Sequence, residues 1–254
     1  MNYPSHLQFT RQQIAELTGI SDDVLAFWLK QQLLVPNDET LSGKGRHKRF
    51  GFVQIHIAAI LNQLRDFGVN ISCLRSVSAI LQAAVRTGER VFGGIHDYSE
   101  TISDAGHLEI TSERYSRGIK QYKCLEDGVE KYFETFEDYF ADYVETWNFK
   151  TTLDESIALF RTLKPGEGHL IDLYEGLTSS DHLKRGNEGG RGWAEFVYAI
   201  APSSNGDWTI VAYEEDSNSL KEWMAEPPSY ISVRVSKLIR NIWTPDKTRA
   251  ATQR

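Results

Sequence analysis

Between Thr10 and Lys30 the chain reads TRQQIAELTGISDDVLAFWLK, two short helical patterns parted by a single glycine. Thr10 and Gln13 stand at capping-box spacing: the threonine side chain can accept from the backbone three residues on, and the glutamine reaches back to the N-cap amide. Ile14, Ala15 and Leu17 supply a short apolar face, and Gly19 is the residue type that ends a helix in the left-handed conformation. Ser21 is placed to cap a second helix, with Asp22 and Asp23 in its first turn, where the helix dipole favours acids. Val24, Leu25, Trp28, Leu29 and Leu33 recur at helical spacing, and Pro36 stands beyond the end. Two helices with about three residues around a glycine between them are the signature of a helix-turn-helix.

The next forty-odd residues extend the pattern. Leu34-Val35-Pro36 leads into a polar loop holding Gly43 and Gly45, then GKGRHKRF at 43–50, which packs Lys44, Arg46, Lys48, Arg49 and His47 into eight residues without an acid. The loop is too long for a tight turn, and its glycines suit a hairpin wing. Gly51 opens a third helix with Val53, Ile57, Ile60, Leu61 and Leu64 on its face and Gly68 as its stop. Val69-Asn70-Ile71-Ser72 opens a fourth that carries Leu74, Val77, Ile80 and Leu81. A basic loop beside a helix-turn-helix has a physical use: each lysine or arginine that neutralises a DNA phosphate releases condensed counterions. Such contacts fix register without reading sequence. The plainer account of the run is a solvated loop.

Charge divides the chain. Residues 1–90 carry ten Lys/Arg against seven Asp/Glu, whereas residues 91–254 carry eighteen against twenty-eight, within a total of −7. A basic first third on an acidic remainder suggests two modules with different partners. We expect a DNA-binding domain over 1–90, a linker over 91–110 around Gly93-Gly94, an acidic module over 111–244 and a flexible tail over 245–254. The two cysteines, Cys73 and Cys124, are far apart and form no CxxC or Cys–His pattern. That argues against a structural zinc site or a disulfide framework and fits a reducing cytoplasm. No signal peptide or apolar run near the ~20 residues of a membrane helix is expected.

The second module reads as α+β. Residues 122–147 place Tyr122, Leu125, Val129, Tyr132, Phe136, Tyr139, Tyr143 and Trp147 at three-and-four spacing, which predicts an amphipathic helix with an aromatic stripe. Its other face is acidic. A short helix is expected over 154–163, a strand over 169–174, and a hairpin from 193–200 and 208–214 around PSSNGD. Helix is expected within 220–224 and 229–243. The fold class is therefore mainly α with an α+β C-terminal part containing a small antiparallel sheet.

Catalytic signals are weak. RGNEGGRG at 185–192 is rich in glycine and arginine but lacks the lysine-serine/threonine ending of a P-loop, so a connecting loop is the expected reading. His96, His107, His169 and His182 are scattered, with no HExxH or GxSxG. We expect neither an enzyme, a metal site nor a cofactor.

The pieces QIAELTGISDDVLAFWLKQQLLVP, HKRF and LNQLRDFGVNISCLRSVSAIL together resemble the N-terminal winged helix-turn-helix of the MerR family of bacterial transcription regulators. They cover about residues 9–82. The resemblance implies double-stranded DNA as partner, contacted by Thr10, Arg11, Ser21, Phe27, Trp28 and Lys30 on the helices and by Lys44, Arg46, His47, Lys48 and Arg49 on the wing. One of the paired aromatics Phe27-Trp28 is expected to pack inward and the other to flank phosphate.

The resemblance also implies a homodimer on an inverted-repeat promoter site, altered access for RNA polymerase, and a small-molecule or protein effector. Candidate dimer residues are Tyr122, Val129, Tyr132, Phe136, Tyr139 and Tyr143, with packing of the same stripe inside one chain as the competing reading. The chain departs from the family at Ala26, where an arginine usually precedes the paired aromatics, and at Lys48-Arg49-Phe50, where the wing usually reads Arg-x-Tyr. Lysine is a point charge where arginine makes a planar fork, so Arg49 or Arg46 must supply any two-pronged contact. Two other readings fit the same residues. One is an excisionase-like or architectural DNA-binding protein whose acidic part recruits another protein. The other is a small-ligand enzyme with an autoregulatory winged helix.

Overall fold

The computed structural model describes residues 8–37, 48–92, 124–126, 129–131, 164, 167–178, 196–203, 207–214, 229–244 and 246–247. Helix α1 (Arg11–Thr18) begins at the expected capping box: Thr10 Oγ1 accepts from the Gln13 amide at 3.2 Å, and the Thr10 amide donates to Gln13 Oε1 at 2.7 Å. It ends at Gly19, whose φ of +75° is left-handed. Helix α2 (Asp22–Lys30) starts after Ser21, which occupies the N-cap position but whose side chain makes no capping hydrogen bond. This corrects the expected role of the serine. Its first turn is exposed and carries Asp22 and Asp23, where the helix dipole favours acids.

Helix α3 (Phe52–Asp66) follows Gly51, and eleven of its fifteen residues are buried, Phe52 to Leu61 without a break. A helix buried around its circumference must be covered on more than one side. Here α1 packs on one flank, and elements from the far end of the chain pack on another. Helix α4 (Ile71–Phe92) starts at Asn70, whose Oδ1 accepts from the Cys73 amide at 3.0 Å, and runs up to the Gly93-Gly94 pair. Cys73 is buried on α4, and burial pushes its thiol up to about 11, so it stays protonated at neutral pH.

Two short antiparallel strands, β1 (Cys124–Glu126) and β2 (Val129–Lys131), replace the expected start of the aromatic helix, with Leu125 opposite Glu130. The sequence contains a reason: Asp127-Gly128, a dipeptide that two-residue hairpin loops favour, falls between Glu126 and the β-branched Val129. Three-and-four spacing of apolar residues is compatible with either structure over so short a window. Tyr122 and residues 132–147 lie outside the described residues, as do the helices expected over 154–163 and 220–224 and the glycine-rich 185–192 stretch.

A second correction falls on the strand expected over 169–174, which is helix α5 (Gly168–Thr178). The alternation of His169 to Tyr174 misleads because it stops too early. Extended to Thr178, the buried residues Ile171, Tyr174 and Thr178, with Leu173 and Leu177, fall at three and four. The hairpin formed as expected: β3 (Phe196–Pro202) pairs antiparallel with β4 (Trp208–Glu214), Ala199 opposite Val211. Strand β5 (Ile231–Arg234) adds to the other edge of β3, giving the order β4-β3-β5, and helix α6 (Val235–Ile242) follows directly.

Strand β3 is buried on both faces, as a central strand should be. Phe196, Tyr198 and Ile200 enter the main core, while Val197 and Ala199 meet Tyr213 and Tyr230 on the opposite face. Tyr198 donates to the carbonyl of Leu173 at 2.5 Å, and burial holds its phenol well above the ordinary range. One hydrophobic core therefore contains residues of both ends of the chain, among them Leu25, Ile57, Leu81, Tyr174, Tyr198 and Trp243. Helices α4 and α5 come together at Gly88, where an added Cβ would lie 2.2 Å from the Tyr174 ring. No helix among the described residues is long and apolar enough to cross a membrane.

Candidate nucleic-acid interface

On α2, a period of 3.6 residues turns Leu25 and Trp28 inward and leaves Asp23, Phe27 and Lys30 on the opposite side, with Ala26 half-buried beside them. The paired aromatics divide as expected. Trp28 is 2% exposed and belongs to the core, so it offers no surface to DNA, whereas Phe27 is 46% exposed. Phe27 is a large apolar group held in water on the outermost face of a short helix. Only Val35 and Phe67 share that exposure among the large hydrophobics described.

Asp22 is taken out of this face by Arg11. The guanidinium approaches the carboxylate with both arms, Nε to Oδ1 at 2.6 Å and a terminal nitrogen to Oδ2 at 2.7 Å, with both side chains about half exposed. A pair this exposed adds little stability. Its consequence is local: Arg11, a candidate phosphate contact, is committed to Asp22, and the repulsion Asp22 would offer a phosphate is offset. Asp23 has no such partner among the ion pairs of the described residues. Arg11, Asp22 and Leu29 line an open groove of about 650 Å³ with Thr10, Lys48 and Phe50, so α1, α2 and the wing base face a common space.

The two ends of the segment expected to form the wing are tied down. Phe9 and Phe50 exchange two backbone hydrogen bonds of 2.8 and 2.9 Å, which ties the segment before α1 to the end of the basic run. The Asn37 amide donates to the Arg49 carbonyl at 2.9 Å, and Asn37 Oδ1 accepts from the Gly51 amide at 2.9 Å. Lys48 and Arg49 are exposed at this base. Lys44, Arg46 and His47 lie outside the described residues.

The exit of α2 is fixed by a buried polar layer that the sequence reading missed. Gln54 on α3 and Gln82 on α4 face each other and exchange amide hydrogen bonds of 2.9 and 2.8 Å. Gln54 Oε1 also accepts from the Val35 amide at 3.0 Å, and Ser78 donates to the Leu33 carbonyl at 2.7 Å. Buried amides must be paired, and these use the backbone leaving α2 as part of the pairing. Gln31 at the end of α2 further accepts from Arg75 of α4 at 2.6 Å. The signal was present: glutamine inside FVQIHIAAIL interrupts an otherwise apolar stretch, which demands a partner.

His56 interrupts the same stretch and connects α3 to the C-terminal elements. Trp243 Nε1 can only donate, and it does so to His56 Nε2 at 2.6 Å. Nδ1 therefore carries the ring proton and donates to the Leu177 carbonyl at 2.7 Å. Both ring nitrogens are thus used in the neutral form, and the imidazole is fully buried. Trp243 also packs edge-on against Phe9, ring centres 5.7 Å apart, so the residue that ends α6 touches the residue that holds the wing base. Beyond it, Lys247 donates to the Leu17 carbonyl at the end of α1 at 3.3 Å, so the tail expected to be flexible is docked at this residue.

Val129, the one dimer candidate among the described residues, lies on β2 and not on a helical seam. His169 is exposed on α5, and no group of His, Cys, Asp and Glu among the described residues could hold a metal ion. The family described as MerR HTH family regulatory protein matches this sequence over residues 9–79. The matched segment ends within α4, before Gly88, so β1 to β5, α5 and α6 lie beyond it. No curated protein matches the chain.

Proposed function

We propose that this chain, whose residues 9–79 match the MerR HTH family of regulatory proteins, is a DNA-binding regulator of transcription that binds an inverted-repeat promoter site as a homodimer. The observation that supports a DNA contact here is the common orientation of α2 and the wing base: Lys48, Asp22 and Leu29 line one groove, with both ends of α2 tied down. Rigid presentation of a short helix beside basic residues suits insertion into a major groove with phosphate contacts at its edge.

Two copies are needed on physical grounds. One short helix and a small wing make few contacts, and pairing two of them on one duplex raises their effective concentration. A twofold dimer then requires a twofold-related site. The C-terminal elements, packed on α3 and α4, are proposed as a non-catalytic input module for a small molecule or protein, with altered polymerase access as the output.

The test is a salt titration of DNA binding by the intact protein and by the Arg46→Ala/Lys48→Ala/Arg49→Ala variant. The variant should bind all sequences more weakly. Its slope of log affinity against log salt should be shallower by about one for each phosphate that is no longer neutralised. Unchanged affinity and slope would contradict the wing's role.

A further inference from the structure

Resting on the DNA-binding reading above, we propose that α2 reads pyrimidines: Phe27 packs on the 5-methyl group of thymine, and Asp23 accepts from the 4-amino group of cytosine. Helix α2 turns Asp23, Phe27 and Lys30 outward, with half-buried Ala26 beside them, opposite the buried Leu25 and Trp28. Asp22 points to Arg11 and Gln31 to Arg75, so neither is available to read bases. An acid and an aromatic ring are poor phosphate ligands, which leaves the base edges as their chemistry.

The major groove offers the acid and the ring one fitting feature each. Thymine alone carries a methyl group there, and an apolar side chain recognises it; cytosine alone presents an amine as its sole polar feature, and a carboxylate accepts from it. Phe27 is nearly half exposed, so a contact that covers its ring would remove apolar surface from water. Asp23, lying among phosphates, lowers affinity for any duplex unless a donor meets it. It therefore discriminates by penalty as much as by attraction.

The experiment takes the site that the intact protein selects from random DNA and replaces its thymines, one at a time, by uracil, which differs only in lacking the methyl. At one thymine per half-site the wild-type protein should bind about fourfold more weakly, the effect of one methyl removed from an apolar contact. Phe27→Ala should bind thymine and uracil duplexes equally, and Phe27→Leu should keep part of the preference. Asp23→Ala should bind random DNA more tightly while losing about tenfold of its preference for a C·G pair. Both positions are exposed, and unchanged circular dichroism confirms that the variants fold. Equal binding of thymine and uracil duplexes by the wild type, or a selected half-site without thymine, overturns the Phe27 assignment. An unchanged C·G preference in Asp23→Ala overturns that of Asp23. Failure of the DNA-binding reading itself looks different, because no sequence would then be selected at all.

Discussion

His56 shows how much a single polar residue in an apolar helix can specify. Its two nitrogens hold Trp243 and the Leu177 carbonyl, so one side chain of α3 fixes both α5 and the end of α6. His56→Ala removes both bonds and leaves a cavity, and should lower stability by about 3 kcal/mol in urea unfolding, since losing a buried partner costs about 1–3 kcal/mol for each group. A decrease below about 0.5 kcal/mol would show that neither bond matters. Glu167 makes a weaker, pH-dependent tie between α5 and α4. Burial pushes its pKa up, but the hydrogen bond from the Lys164 amide and the bond and charge of Arg90 outweigh it, so the carboxyl sits below the ordinary glutamate value. A depressed carboxyl contributes stability above its unfolded pKa and loses it as pH falls through the folded value. Glu167→Gln should therefore cost less than about 1 kcal/mol at neutral pH, and wild type and variant should converge under acid conditions. A difference that widens on acidification would contradict the assignment.

Among the elements, the contact of α4 with α5 depends on Gly88. Alanine there would favour the helix by about 1 kcal/mol on propensity alone. Its Cβ would, however, meet the fully buried Tyr174 ring at 2.2 Å, and overpacking of this kind costs about 1–3 kcal/mol or more. Packing should win, so Gly88→Ala is expected to lower the urea midpoint, while an unchanged or raised midpoint would show that the helices part easily. The elements also show what sequence can and cannot tell. The capping box at Thr10, the stop at Gly19 and the β3–β4 hairpin follow from local rules, and each formed where expected. Residues 169–174, 124–126 and 129–131 did not follow, because their short apolar patterns satisfy helix and strand alike. There the surroundings decide: Gly88 accepts a helix carrying Tyr174 against it, and Leu125 pairs with Glu130 and Val129 with Glu126.

At the scale of the whole molecule, the basic and acidic parts of the chain are joined by their core. Composition alone separates them by charge, and no local pattern announces that Trp243 would reach Phe9 from the far end of the chain. Through that contact the end of α6 abuts the residue whose backbone holds Phe50 at the wing base, and through His56 it abuts α3. A change in the C-terminal elements thus has a packed route to the side proposed to face DNA. The outward stripe of α2 was only half legible: Phe27 stood out in the sequence, but the capture of Asp22 by Arg11 depends on how α1 and α2 cross. The central claim is that this face binds a specific duplex as one half of a symmetric pair. Selection of bound sequences from a random DNA library by the intact protein tests it most directly. Two half-sites in inverted orientation at one fixed spacing are the predicted result, whereas recovery of a single half-site, or of no enriched sequence, would contradict it.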